Sequence, residues 1–279
     1  MNHDKPGFVG MPPDEGCRKI ILHYHLFKNA GSSVDQILRA NFGEGRWRSE
    51  EFPGPTTNIP LVLSGRSNYQ QVQDWLAEHP EVVVLSSHTA AMPLPELPAT
   101  RIFPILMVRN PVVRLQSSYL FQRERFESGW HNKTTRLAGK NDLAGYLRGL
   151  LDMKRQSMAR NFASVRLAAA VPGSPDQLRQ RTIKALKLLP FIGVVELFEQ
   201  SMQVMEHWLA PHFPGFRVLP AWQNPTEQRS TPLPERLANI REEIGDGLYD
   251  EILTANQVDL DLCEAASLNI RKMTKALVA

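Results

Sequence analysis

Short apolar runs alternate with helix-like segments along most of this chain. The runs with the length and composition of buried strands are 19–25, 82–87, 102–108 and 191–195. Pro104 interrupts the third run, so we expect regular strand structure only over 105–108. Strands that alternate with helices predict an α/β fold, in which a mostly parallel sheet is covered by helices on both faces.

Helical periodicity follows the first and third apolar runs, precedes the second, and dominates the second half of the chain. The predicted helices begin near Val34 or span 69–78, 112–125, parts of 141–189 with a break at 172–175, 197–209, 235–255 and 258–276. Stretches rich in Gly, Pro and polar residues predict surface loops over 43–68, 126–140 and 219–234. We find no internal repeat, so we expect a single domain over 1–279, in which 1–17 form a loose N-terminus.

The composition narrows the class of protein. A hydrophobic fraction of 42% is ordinary for a soluble globular chain, and a net charge of +3 falls short of the basic runs of nucleic-acid binders. Cys17 and Cys263 lie far apart without a Cys/His cluster, which predicts reduced thiols and no zinc site. Neither a signal peptide nor a membrane span is visible, so we expect a cytoplasmic protein. No feature indicates an oligomeric state.

The first apolar run leads directly into a small-residue turn and a helix. Backbone N–H groups at the start of a helix are unpaired and carry partial positive charge, so such a turn can bind an anion. Gly31 permits close approach of a ligand, and Lys28 adds a mobile cation. The lysine precedes the glycine, unlike in the GxxxxGK(S/T) nucleotide loop, which disfavours kinase chemistry. On this segment alone, a simple helix cap explains the residues equally well.

The stretch His25-Leu-Phe-Lys-Asn-Ala-Gly-Ser-Ser33 resembles the 5′-phosphosulfate-binding signature of sulfotransferases that use 3′-phosphoadenosine 5′-phosphosulfate (PAPS). Its closest form is H-I-P-K-T-A-G-T-S, found in carbohydrate O-sulfotransferases related to heparan-sulfate 2-O-sulfotransferase. The chain departs from this form at Phe27 and at Asn29, where the family has proline and threonine. The resemblance implies a three-layer fold like that of P-loop NTPases.

A second segment, Val108-Arg-Asn-Pro-Val-Val-Arg-Leu-Gln-Ser-Ser-Tyr119, resembles the family's 3′-phosphate-binding segment V-R-D-P-I-E-R-L-V-S-Y-Y. The matching arginine and serine are Arg109 and Ser117. Arg109 leaves the end of a predicted strand, where a guanidinium can hold a phosphate through two hydrogen bonds. The alternative is that Arg109 and Arg114 are solvated surface charges.

His88 follows the second predicted strand and is similar to the histidine that acts as base in the family's G-H-x-x-x segment. Ser87 stands where the family has glycine. A packed structural histidine is the alternative, with Glu124 as the reserve base. Near the C-terminus, 222–230 resembles the pattern N-x-(S/T)-x-x-R and offers Arg229 as a further phosphate contact.

The resemblance therefore implies transfer of a sulfuryl group from PAPS to a hydroxyl of an acceptor, without a metal. The type of the first motif implies that the acceptor is a carbohydrate. Lys28 and His88 are the predicted catalytic residues. The predicted nucleotide contacts are Lys28, Asn29, Ala30, Gly31, Ser32, Ser33, Arg109, Ser117 and Arg229. Two alternatives remain open, a non-catalytic nucleotide-binding relative and a P-loop-like small-molecule kinase.

Overall fold

A parallel sheet of five strands forms the centre of the protein. The computed structural model describes residues 16–52, 68–153, 157–218 and 231–278. The strands are β1 (Arg18–Tyr24), β2 (Trp47–Ser49), β3 (Val84–Ser87), β4 (Thr100–Val108) and β5 (Gly193–Val194). Their order in the sheet is β2-β3-β1-β4-β5, and every pair is parallel.

Helices flank this sheet, as the alternating pattern predicted. They are α1 (Gly31–Arg46), α2 (Tyr69–Glu78), α3 (Pro111–Glu127), α4 (Lys133–Gly139), α5 (Leu143–Asp152), α6 (Phe162–Ala168), α7 (Leu178–Leu188), α8 (Phe198–Leu209), α9 (Leu233–Ile244), α10 (Asp246–Ala255) and α11 (Gln257–Val278). The predicted α/β class with a parallel sheet between helices is confirmed. Among the described helices we find no candidate for a membrane span.

The register of β1 places the ends of three strands at one edge of the sheet. Tyr24, the last residue of β1, pairs with Ser87 of β3 on one side and with Leu106 of β4 on the other. The apolar residues of β1 are buried on both faces of the sheet, which fixes the strand at the centre. The turns that follow β1, β3 and β4 therefore open at the same edge, where α/β proteins bind ligands.

The predicted break at Pro104 is wrong, because β4 runs without interruption from Thr100 to Val108. Pro104 pairs with Leu22 of β1, whereas β5 pairs with β4 only at Met107 and Val108. At Pro104 the side of β4 away from β1 therefore has no β5 partner, and a residue without an N–H is tolerated at such an open edge.

Three further boundaries differ from the prediction. The expected loop 43–68 contains β2, and the expected loop 126–140 contains α4, whose start is capped by the side chain of Asn132. The expected helix 235–255 is divided at Gly245, where a φ of 81° interrupts the helical path. Residues 53–67 and 219–230 lie outside the described residues.

Arg114 is buried between the helices, so it is not a solvated surface charge. It is 1% exposed, its Nη2 donates to the carbonyl of Met158, and its guanidinium lies 4.3 Å from the ring centroid of Phe162. Arg166 contacts the same ring at 3.7 Å. Burial lowers the pKa of each arginine to about 10, while the nearby charge of Asp259 favours the protonated form of both.

Asp259 is the acidic group that faces these two arginines. Its carboxylate is 1% exposed and accepts hydrogen bonds from the backbone N–H groups of Ala163 (3.1 Å) and Ser164 (2.7 Å), at the start of α6. The single carboxylate therefore stabilises both a helix end and buried positive charge.

We expect Asp259→Ala to lower the free energy of unfolding by about 3 kcal/mol, because it leaves buried charge without a counterion. Asp261→Ala is the matched control on the same helix, since Asp261 pairs with Arg179 at the partly exposed surface, and it should cost less than about 1 kcal/mol. Urea denaturation of both variants measures the difference. Equal losses would show that Asp259 has no special role.

Candidate active site

The two predicted phosphate-binding segments meet at the edge of the sheet. Arg109, directly after β4, donates a hydrogen bond from Nη1 to the backbone carbonyl of Lys28, at 3.1 Å. Lys28 belongs to the turn between β1 and α1, 81 residues earlier in the chain. The structure thus brings the guanidinium and the turn together, as the motif pair predicted.

The turn after β1 has a strained backbone. Lys28 and Ala30 have φ values of 62° and 59°, in the left-handed region that costs non-glycine residues free energy. Asn29 lies between them and is 1% exposed; its Nδ2 donates to the carbonyl of Met107 at 2.8 Å. The side chain of Asn29 therefore ties the turn to β4 and is directed into the fold.

The amides of the turn are available at the start of α1. Ala30 is the residue before the helix, so the N–H groups of Gly31 and Ser32 begin the first turn, where they have no carbonyl within the helix to bond. The Ser32 side chain is exposed, whereas that of Ser33 is buried. Of the two predicted hydroxyl donors, Ser32 is thus the accessible one.

The ammonium group of Lys28 lies against α3. Its Nζ is 4.5 Å from the ring centroid of Phe121, and that ring also contacts Phe27 edge-on. Burial lowers the pKa of Lys28, the charge of Arg109 lowers it further, and Glu124 opposes both. A bound anion would relieve the repulsion between the two cations. Phe27, where the family has proline, thus packs against the helix beside the lysine.

Ser117 is half-buried on α3, one helical turn before Phe121. Residues four apart lie on the same face of a helix, so Ser117 shares the face that Phe121 turns towards Lys28.

His88 lies at the end of β3 with its side chain exposed. Its Nδ1 is 3.1 Å from the backbone carbonyl of His25, which can only accept, so Nδ1 is the donor. In the neutral ring this leaves Nε2 as the acceptor, the state that a general base requires. Ser87, which replaces the family's glycine, accepts from the N–H groups of Thr89 and Ala90 and thereby stabilises the turn.

Behind the turn, Asp35 joins two histidines of the first strand segment. Its two carboxylate oxygens lie 2.7 Å from Nδ1 of His23 and 2.9 Å from Nδ1 of His25, and Ser86 also contacts His23. Burial by itself would raise the pKa of Asp35, but the charge of His23 and the hydrogen bonds from both histidines and Ser86 hold it far below its ordinary value.

His23, His25 and Asp35 are also the described residues whose ligand atoms cluster closely enough, within 4.8 Å of one another, to hold a metal ion. Two imidazoles and a carboxylate suit a divalent transition metal. In this fold both Nδ1 atoms lie within hydrogen-bonding distance of the carboxylate, and His23 is fully buried. That the protein works without a metal stays a prediction.

His25 connects the turn to His88. A Cβ atom on Gly31 would lie 2.0 Å from Cδ2 of His25, so only glycine fits there. On its other side, the His25 ring lies 3.9 Å from the ring of His88, and Asp35 holds its Nδ1. The imidazole is therefore fixed from three directions.

Sequence reasoning missed several residues that support the site. Glu51 accepts from the backbone N–H of His88 at 3.1 Å, and Glu196 accepts from that of Asn110 at 3.1 Å. Burial raises the pKa of Glu196, while the charges of Arg109 and Arg236 oppose this effect. These contacts join segments that are distant in the sequence, so no local sequence pattern predicts them. The position of Asp35 could have been predicted from the sequence, since the helical period places it on the face of α1 that packs towards β1.

The predicted contact Arg229 lies outside the described residues. No model of a known protein family matches the chain. The chain is similar to an uncharacterized protein of Archaeoglobus fulgidus, with 34% identity over 252 residues, which cover 88% of this chain and 95% of that protein.

We expect Gly31→Ala to abolish the binding of 3′-phosphoadenosine 5′-phosphate, the predicted ligand of the turn, because the added Cβ collides with a ring that Asp35 and His88 contact on its other sides. Gly45→Ala is the matched control on the same helix, since a Cβ there meets nothing within 4 Å. Calorimetric titration with 3′-phosphoadenosine 5′-phosphate compares the two variants. Retained binding by Gly31→Ala would contradict the tight packing on His25.

We expect Asp35→Asn to destabilise the fold by about 2 kcal/mol at pH 7, because it removes a charged acceptor shared by two histidines. Because the pKa of Asp35 is lower in the folded protein than in the unfolded chain, its ionised carboxylate stabilises the fold above the unfolded-state pKa, near pH 4. This stabilisation is lost as the pH falls further. The difference between wild type and variant should therefore narrow below about pH 4. Urea denaturation at a series of pH values measures it, and a difference independent of pH would contradict the assignment.

Proposed function

This chain belongs to one family with the uncharacterized Archaeoglobus fulgidus protein, and from the site it contains we propose that it is a PAPS-dependent O-sulfotransferase. The observation that carries the proposal is the hydrogen bond from Arg109 to the carbonyl of Lys28. It joins the two segments that resemble the 5′-phosphosulfate and 3′-phosphate signatures, which must serve one nucleotide at the same time.

The residues present fit an adenosine that carries phosphates at both ends. The first amides of α1 and the exposed Ser32 hydroxyl would bind the 5′ end. Arg109 and Ser117 would bind the 3′-phosphate, the arginine through charge-assisted hydrogen bonds. Burial lowers the pKa of Lys28, and the charge of Arg109 lowers it further; the second effect supports this fit, because an anion between the two cations would stabilise both.

His88 and Lys28 would divide the chemistry between them. Nε2 of His88 takes the proton of the acceptor hydroxyl as its oxygen forms a bond to sulfur. The bond between sulfur and the oxygen of the 5′-phosphate breaks, and its electron pair leaves with the phosphate. Lys28 stabilises the negative charge that develops there. The products are a sulfate ester and 3′-phosphoadenosine 5′-phosphate, so atoms and charge balance without a metal.

The acceptor we propose is a hydroxyl of a carbohydrate, and the place of action is the cytoplasm. The carbohydrate rests on the form of the first motif. A P-loop-like kinase and a non-catalytic nucleotide binder are the readings that the experiment must separate from this one.

We expect Arg109→Ala to weaken the binding of 3′-phosphoadenosine 5′-phosphate about 10- to 100-fold, because it removes a charged donor to the 3′-phosphate. Lys28→Ala should instead reduce turnover about 100-fold or more, with a smaller loss of affinity. Calorimetry measures the affinity, and transfer of the labelled sulfuryl group from PAPS to a panel of glycans measures the turnover.

Arg101→Ala is the matched control, since Arg101 lies at the opposite end of the same strand, against Phe103. Preference for ATP over the 3′-phosphorylated nucleotide would favour the kinase reading. Tight binding of that nucleotide without transfer to any glycan would favour the non-catalytic reading. Unchanged affinity in Arg109→Ala would refute the proposed 3′-phosphate contact.

A further inference from the structure

An aromatic and cationic stack lies exposed at the end of α3. Trp130 is 59% exposed, although an aromatic ring of this size is ordinarily well buried. The guanidinium of Arg125 lies 5.2 Å from the ring centroid of Trp130 and 5.2 Å from that of Phe121. We call Phe121, Arg125 and Trp130 the α3 ledge.

The backbone fixes Trp130 in this place. The N–H of Trp130 donates to the carbonyl of Arg125 at 2.9 Å, and that of Gly129 donates to Phe126 at 3.0 Å. With a φ of 89° at Gly129, these bonds form a Schellman motif at the end of the helix. The exposed indole is therefore held on Arg125 by the way the helix ends.

The ledge is continuous with the candidate active site. Ser117, Phe121 and Arg125 are four residues apart and share one face of α3. The ring of Phe121 contacts Lys28, whose Nζ lies 4.5 Å from its centroid. The ledge thus extends outward from the lysine that we propose stabilises the leaving phosphate.

The charge of the ledge is open to a ligand. Arg123, two residues earlier, is bonded to Glu127 (3.3 Å) and to the hydroxyl of Tyr119 (3.0 Å). Within the described part of the chain, Arg125 has no carboxylate within 4.0 Å. Lys133 and Arg136 on the neighbouring α4 are exposed as well, so cations outnumber the exposed carboxylates of Glu124 and Glu127 here.

We propose that the α3 ledge is the acceptor-binding platform and that it takes an acidic sugar chain. The apolar face of a sugar ring packs on the indole of Trp130, and a carboxylate or sulfate group of the chain binds Arg125. This places the neighbouring sugar unit beside Lys28, which contacts Phe121. The inference rests on the proposed function, whose site it extends.

Trp130→Ala tests the stacking contact, and Arg125→Gln tests the charge. The probes are a heparin-derived oligosaccharide and a neutral malto-oligosaccharide of equal length, titrated by calorimetry and by tryptophan fluorescence. We expect each variant to bind the acidic probe about tenfold more weakly than wild type. Arg123→Gln, on another face of α3, and Leu268→Ala, an exposed apolar residue of α11, are the matched controls and should bind as wild type does.

Binding of 3′-phosphoadenosine 5′-phosphate, measured on the same samples, separates the two proposals. Its absence in wild type defeats the proposed function, while unchanged nucleotide binding in Trp130→Ala and Arg125→Gln is expected. The platform is overturned if wild type binds both sugars equally, binds neither, or prefers single-stranded DNA to the acidic sugar. Loss of acidic-sugar binding in the control variants to the same degree also overturns it.

Discussion

The hydrogen bond between Arg109 and the carbonyl of Lys28 sets the geometry on which the rest of the site depends. It spans the gap between the ends of β1 and β4, which the register of the sheet places side by side. Each segment alone is an ordinary strand end followed by a helix. Joined, they bring the cations of Lys28 and Arg109 to the same end of the sheet, the end at which α/β proteins bind ligands. The register of the sheet therefore determines how far apart the charges of Lys28 and Arg109 lie.

His25 has a comparable role on the other side of the turn. Its ring fills the space that a side chain on Gly31 would need, and its carbonyl accepts from His88. Asp35 fixes the ring through Nδ1. The turn before α1 and the proposed base are consequently held through the same residue. A displacement of that imidazole would therefore move the turn and His88 together.

Local patterns predicted the elements well, because apolar runs and helical periods are properties of neighbouring residues. The strand, turn and helix around Lys28 follow from such a pattern. Pro104 was misjudged because its tolerance depends on where β5 ends, which is a property of the assembled sheet. Glu51 and Glu196 were missed for the same reason, since each contacts a segment far away in the chain. The site was predictable where its residues form motifs, and unpredictable where tertiary contacts support those motifs.

The electrostatics of the site connect its stability to its binding. Lys28 and Arg109 repel each other in a half-buried place, and burial raises the pKa of Glu196, the carboxyl group beside Arg109. The left-handed backbone at Lys28 and Ala30 adds conformational strain. Each of these features costs free energy in the protein without a ligand. A phosphate bound between the two cations would lower the electrostatic part of that cost, which is the physical basis of the anion binding that we propose.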